Sequence, residues 1–211
     1  MTEPATSFVP ALAFGFALGI APGPVQVLIL SQSAKRGLAG GLRVMLGANL
    51  TLFLILLALA LGLSAVAPSD AALRILAVVG GIALVAFAAL DLRSIHRPVA
   101  PADGSKDRSF GPTATGVVAV LLNPGAWLFF ATTATATLAA ATDIGGRGAA
   151  VVTATAMAIG VSLADLVSTG VGSGGHRVLG PRGLAVLRTV LGLALVALGV
   201  LFVARGLTGG V

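Results

Sequence analysis

The sequence predicts an all-α integral membrane protein: six transmembrane helices arranged as a 3+3 inverted repeat, with helices 1 and 4 interrupted. Three observations lead there. The 211 residues are 57% apolar and only 9% charged, whereas a soluble domain carries roughly 25% charged residues. Apolar stretches on the scale of one bilayer crossing, about 20 residues, recur along almost the whole chain. Proline-glycine breaks fall in the middle of the first and the fourth of them.

The spans follow in order. Pro4 to Ala34 carries no charge, and neither does Val44 to Ser69. Leu73 to Leu92 has Arg74 near one end and Asp91 and Arg93 near the other. Ser109 to Thr142 is again free of charge. Ala149 to Gly172 is interrupted only by Asp165, and Leu184 to Ala204 only by Arg188 near its start. Together they form a single membrane domain: repeat one over about 8–93, a flexible linker over about 94–110, and repeat two over about 111–205. The N-terminal run is long, lacks a preceding basic residue and holds Pro-Gly-Pro, so it does not read as a cleaved signal peptide.

Basic residues set the expected orientation. Lys35, Arg36, Arg43, Arg93, Arg97, Lys106, Arg108, Arg177, Arg182 and Arg188 fall on one side, and Arg74, Arg147 and Arg205 on the other. This bias places loops one, three and five in the cytoplasm and both termini outside. The net charge of +6 is spread thinly and only 5% of residues are aromatic, which is not a nucleic-acid footprint. With no cysteine, thiolate metal sites and dithiol chemistry are excluded. His96 and His176 sit in predicted loops and do not make a metal site. No P-loop pattern supports ATP coupling, and no second embedded acid or histidine completes a catalytic pair. The expectation is therefore no enzyme, no cofactor and no metal.

Span one reads AFGFALGIAPGPVQVLIL and span four GVVAVLLNPGAWLFFATTATATL. A lone proline only bends a membrane helix. Here both breaks pair proline with glycine, which removes a donor and frees the dihedrals. Three spans duplicated in tandem must insert the second copy upside down, and broken helices at matching positions point to a midplane binding site. The candidate substrate-binding residues are Ala21, Pro22, Gly23, Pro24 and Gln26 at the first break, Asn123, Pro124 and Gly125 at the second, and Asn49 in span two. Half-helix N-termini there would favour an anionic group, and the carbonyls around Ile20, Ala21 and Leu122 an ammonium. A zwitterion suits both.

Asp165 is the acid well inside a span. A carboxylate in hydrocarbon persists when protonated or partnered, so it is a candidate proton carrier or ammonium partner. Pairing with Arg188 is the structural alternative. Asn123 is equally able to cap the helix that follows it. Thr133 and Thr137, and Ser162 with Asp165 and Thr169, share helix faces, where hydroxyls usually bond their own helix. Gly15 and Gly19 read as a close-packing pair. Trp127 lies near midplane, lining a pathway or filling space.

The chain resembles the lysine-exporter superfamily, LysE/RhtB-type amino-acid exporters, over essentially its full length. The likeness runs through Pro22-Gly23-Pro24, Gly37, Gly41 and Gly47 in GLAGGLRVMLG, Gly62-Leu63, Asn123-Pro124 with Leu128-Phe129-Phe130, and more weakly Arg188, Gly192 and Gly199. It departs at Gly125, where the family usually shows a lysine or similar residue, at Leu84, where it shows an aromatic, and at Asn49-Leu50-Thr51, where a glycine is common. The resemblance implies a proton-driven secondary exporter of an amino acid or related small zwitterionic metabolite in the bacterial inner membrane. Its partners would be the small-molecule substrate, membrane lipids and, in a homo-oligomer, further copies of itself. Branches reported to move metal ions or act on envelope lipids keep two alternatives open: a cation exporter on the same scaffold and an envelope lipid-handling protein.

Overall fold

The computed structural model describes residues 5–21, 23–62, 69–93, 111–178 and 180–208. Every regular element among them is helical: α1 (Ala5–Ile20), α2 (Pro24–Ala60), α3 (Asp70–Arg93), α4 (Pro112–Leu121), α5 (Pro124–Phe129), a π-helical turn (Phe130–Ala134), α6 (Thr135–Val178) and α7 (Pro181–Thr208). Four segments among the described residues are long and apolar enough to cross a membrane: Pro24–Ala60, Asp70–Leu90, Pro124–Gly175 and Arg182–Thr208. Phe8–Ile20 and Pro112–Leu121 are shorter apolar helices. Pro22, His96 and the linker expected over about 94–110 lie outside the described residues.

The two longest helices are too long to be straight. At 37 residues α2 would extend about 55 Å, and at 44 residues α6 about 66 Å, against a hydrocarbon core of about 30 Å. Each is broken by a glycine in nearly the same conformation: Gly37 at φ 69°, ψ −166° and Gly146 at φ 68°, ψ −168°. That region is essentially reserved for glycine. The turn at Gly37 is sharp. Residues eight apart stand about 12 Å apart in a straight helix, yet a Cβ on Gly40 would lie 2.7 Å from the Gln32 carbonyl oxygen. The loops expected after spans one and four are thus single-turn breaks, with helix on both sides. His176 likewise falls within the last turns of α6, where a loop was expected.

Small residues bring the helices together. A Cβ on Gly15 would run into the Met157 carbonyl, one on Gly160 into the Leu12 carbonyl, and one on Gly19 would come within 2.7 Å of the Ala164 Cβ. So α1 lies directly on the C-terminal arm of α6. The second arm of α2 meets α4 in the same manner, Gly47 against the Thr113 carbonyl and Gly116 against that of Val44. Between α3 and α7, Gly81 and Gly199 each face the other's carbonyl. Such contacts let backbones approach where lipid supplies no hydrophobic drive for association. Outward faces stay apolar: Ala48 is 1% exposed, while Leu46, Leu50 and Leu54 on the same helix exceed 50%.

Candidate functional site

Both interruptions are built by proline acting on the residue before it. Gly23 is extended (φ −156°, ψ 177°) and Pro24 opens α2; Asn123 is extended (φ −89°, ψ 105°) and Pro124 opens α5. A residue before proline avoids helical dihedrals, and proline fits the first helical position because its missing N–H is not needed there. Asn123 accepts a hydrogen bond at Oδ1 from the Gly125 N–H at 3.0 Å, so it caps α5 and engages one of the donors that the sequence offers to an anion. Gly23 provides no such side-chain cap for α2, whose first-turn N–H groups are left to another acceptor.

Each break is also bridged from downstream. Trp127 donates its indole N–H to the Leu121 carbonyl at 2.8 Å and packs edge-on against Phe130, ring centroids 5.9 Å apart. Gln26 donates its amide N–H to the Gly19 carbonyl and to Asp165 Oδ1. Both acceptors are oxygens, which fixes the amide: nitrogen toward them, Oε1 away.

Around these breaks lies a cavity of about 350 Å³. Its walls include Ala21, Gly23, Pro24, Gln26, Asn49, Asn123, Gly125 and Asp165. Of the sequence candidates, Pro124 is buried beside it without lining it, and Pro22 lies outside the described residues. Asp165 is 1% exposed. Its hydrogen-bond partner is Gln26, not Arg188, and the Asn49 amide stands nearby. Among the described residues that line this cavity, three buried polar atoms have no hydrogen-bond partner: Asp165 Oδ2, Gln26 Oε1 and Asn49 Nδ2. Two are acceptors and one is a donor. Buried polar groups are normally satisfied, so three orphans among its lining residues single this cavity out as the candidate site.

The hydroxyls behave as packing groups. Thr137 bonds the Thr133 carbonyl at 2.7 Å, Ser162 that of Ala158 at 2.8 Å and Thr169 that of Asp165 at 2.8 Å. Sequence reasoning missed the apolar half of the cavity as a site, including Leu18, Leu52, Val161, Leu198 and Phe202. Leu198 and Phe202 are four apart on α7 and so share a face, but nothing local distinguishes them from their lipid-facing neighbours. The π turn that begins at Phe130 was also not foreseen; Thr135 donates to the Phe130 carbonyl five residues back, at 2.8 Å. Such turns recur at functional sites, and both Phe129 and Phe130 line the cavity.

No curated protein and no solved structure matches the chain. A family model does, that of the LysE type translocators, over residues 16–206. With nearly its whole length matched and long apolar helices among the described residues, the chain belongs to the LysE family of multi-pass membrane exporters.

Proposed function

We propose that the protein is a secondary active exporter of an amino acid or related small zwitterionic metabolite, coupled to protons and working by alternating access around the cavity between the two breaks. The observation that carries this reading is the unpartnered Asp165 Oδ2 in that cavity. A proton and a substrate ammonium satisfy the same carboxylate oxygen, and each excludes the other. Release of the ammonium on one side and uptake of a proton there, followed by return in the protonated form, couples efflux to proton entry through one group. A metal exporter needs several oxygen ligands at one point, whereas among the described residues this cavity brings a single carboxylate.

Six crossings as a 3+3 inverted repeat follow if α2 and α6 are each divided at their glycine turn. Repeat one then runs over about 8–93 and repeat two over about 111–205, joined by a linker at about 94–110. Support comes from the matching turns at Gly37 and Gly146, from the matching breaks before Pro24 and Pro124, and from the reciprocal packing of α1 on α6 and α4 on α2. The reciprocal contact of Gly81 and Gly199 is what a pseudo-two-fold between α3 and α7 requires. Basic residues favour both termini outside, the family likeness favours a bacterial inner membrane, and copies of the chain are proposed to associate.

Efflux from proteoliposomes preloaded with a labelled amino-acid panel tests this reading, with a proton gradient imposed or collapsed. Gradient-dependent efflux that disappears in Asp165→Asn is expected. Efflux of no amino acid above protein-free liposomes would refute the exporter reading, and efflux unchanged in Asp165→Asn would remove the acid from the mechanism.

A further inference from the structure

Resting on that reading, we infer that the cargo is a neutral amino acid with an apolar side chain, and that Phe202 helps set the size of side chain accepted. Among the described residues, the cavity wall holds one ionisable side chain, Asp165. Its free Oδ2 and the free Gln26 Oε1 are acceptors suited to an α-ammonium, while the Asn49 amide and the uncapped first turn of α2 offer donors suited to an α-carboxylate. That set accounts for one positive and one negative group. Among the described residues, the wall offers no second ionisable side chain to a third charge. Apart from Asn123, the other side chains described on the wall are apolar, with Phe129 and Phe130 from one repeat's interrupted helix and Phe202 from α7. An extra ammonium or carboxylate on the cargo would be desolvated there without a partner, which is far costlier than leaving a methyl group in place. The cavity, at about 350 Å³, is near the lower end for small-molecule sites, so side-chain size is sensed as well as charge.

Phe202 has a separable role. It lies far along the chain from both breaks, has an apolar ring that hydrogen-bonds none of the three orphaned polar groups, and is partly buried where α7 approaches α2. Its ring limits volume without contributing to charge recognition.

The test is competition and direct efflux in proteoliposomes of the full chain, using labelled leucine, lysine and glutamate, then tryptophan in the intact protein and in Phe202→Ala. Leucine efflux is expected to exceed lysine and glutamate efflux by about a hundredfold or more, the scale on which a site rejects an unmatched polar group. In Phe202→Ala the tryptophan-to-leucine efflux ratio is expected to rise about tenfold, the effect of freeing a few methylene volumes in a pocket. Lysine or glutamate moving as fast as leucine would overturn the charge assignment while leaving the exporter reading intact. An unchanged tryptophan-to-leucine ratio in a folded Phe202→Ala protein would overturn the role given to Phe202. Should that variant not fold, the intact-protein panel still decides the cargo class. Failure of all four amino acids to move would instead strike the exporter reading itself, and this inference with it.

Discussion

Replacing Gly160 and Gly170 by alanine, one at a time, asks whether the helix contacts are as close as described. Both glycines lie in the C-terminal arm of α6. A Cβ at Gly160 would collide with the Leu12 carbonyl, approach the Phe16 nitrogen to 2.7 Å and the Gly15 carbonyl carbon to 3.0 Å. All three are backbone atoms of α1, so no side-chain rotation relieves the overlap and the two helices must separate. Overpacking costs about 1–3 kcal/mol when neighbours can shift; with only backbone to move, Gly160→Ala belongs at about 3 kcal/mol. At Gly170 nothing lies within 4 Å of the added methyl, and replacing glycine by alanine in a helix stabilises by about 0.5–1 kcal/mol. The same chemical change on one helix therefore has opposite signs. For a chain of this size about 1 kcal/mol moves Tm by roughly 2–4 °C, so Gly160→Ala is expected to melt roughly 6–12 °C lower in detergent and Gly170→Ala slightly higher. Equal shifts for the two variants, or a stabilised Gly160→Ala, would refute the close approach of α1 to α6.

Four further expectations can be checked alongside. Gln26→Leu removes the described hydrogen-bond donor to Asp165 and leaves the Gly19 carbonyl unpaired; efflux is expected to fall about tenfold or more, a loss of at least ~1.4 kcal/mol for a hydrogen bond to a charged group, with expression unchanged. Asn123→Ala should cost about 1 kcal/mol in stability as a lost cap, while Asn123→Asp, which keeps the acceptor, should restore the melting temperature whatever it does to efflux. Gly146→Ala forces a side chain into a glycine-only conformation and should cost about 1–3 kcal/mol even though the space around it is open; a neutral result in thermal unfolding would contradict the turn. Trp127→Phe keeps the ring and loses the bond to the Leu121 carbonyl, so a drop of about 1 kcal/mol is expected, read as a melting shift of a few degrees.

Hydropathy and the proline-glycine pairs determined much of this protein by themselves. Scarcity of charge makes the chain a helical membrane protein, since lipid forces each backbone to satisfy its own hydrogen bonds. The breaks before Pro24 and Pro124 were legible because a proline constrains its immediate neighbour, a strictly local effect. Gly15 and Gly19 were legible as a packing pair, and Asp165 as an embedded acid. The turns at Gly37 and Gly146 were not: a sequence can mark a loop but does not distinguish it from a single glycine turn flanked by helix. Only the tertiary structure brings Gln26 to Asp165, 139 residues away, and only it adds Leu198 and Phe202 to the same cavity. In a soluble protein an apolar stripe tells which face is buried. Here lipid and core are equally apolar, so buried Ala48 and exposed Leu50 read alike in the sequence. Which faces meet is decided by how closely backbones can approach, and that depends on both partners at once.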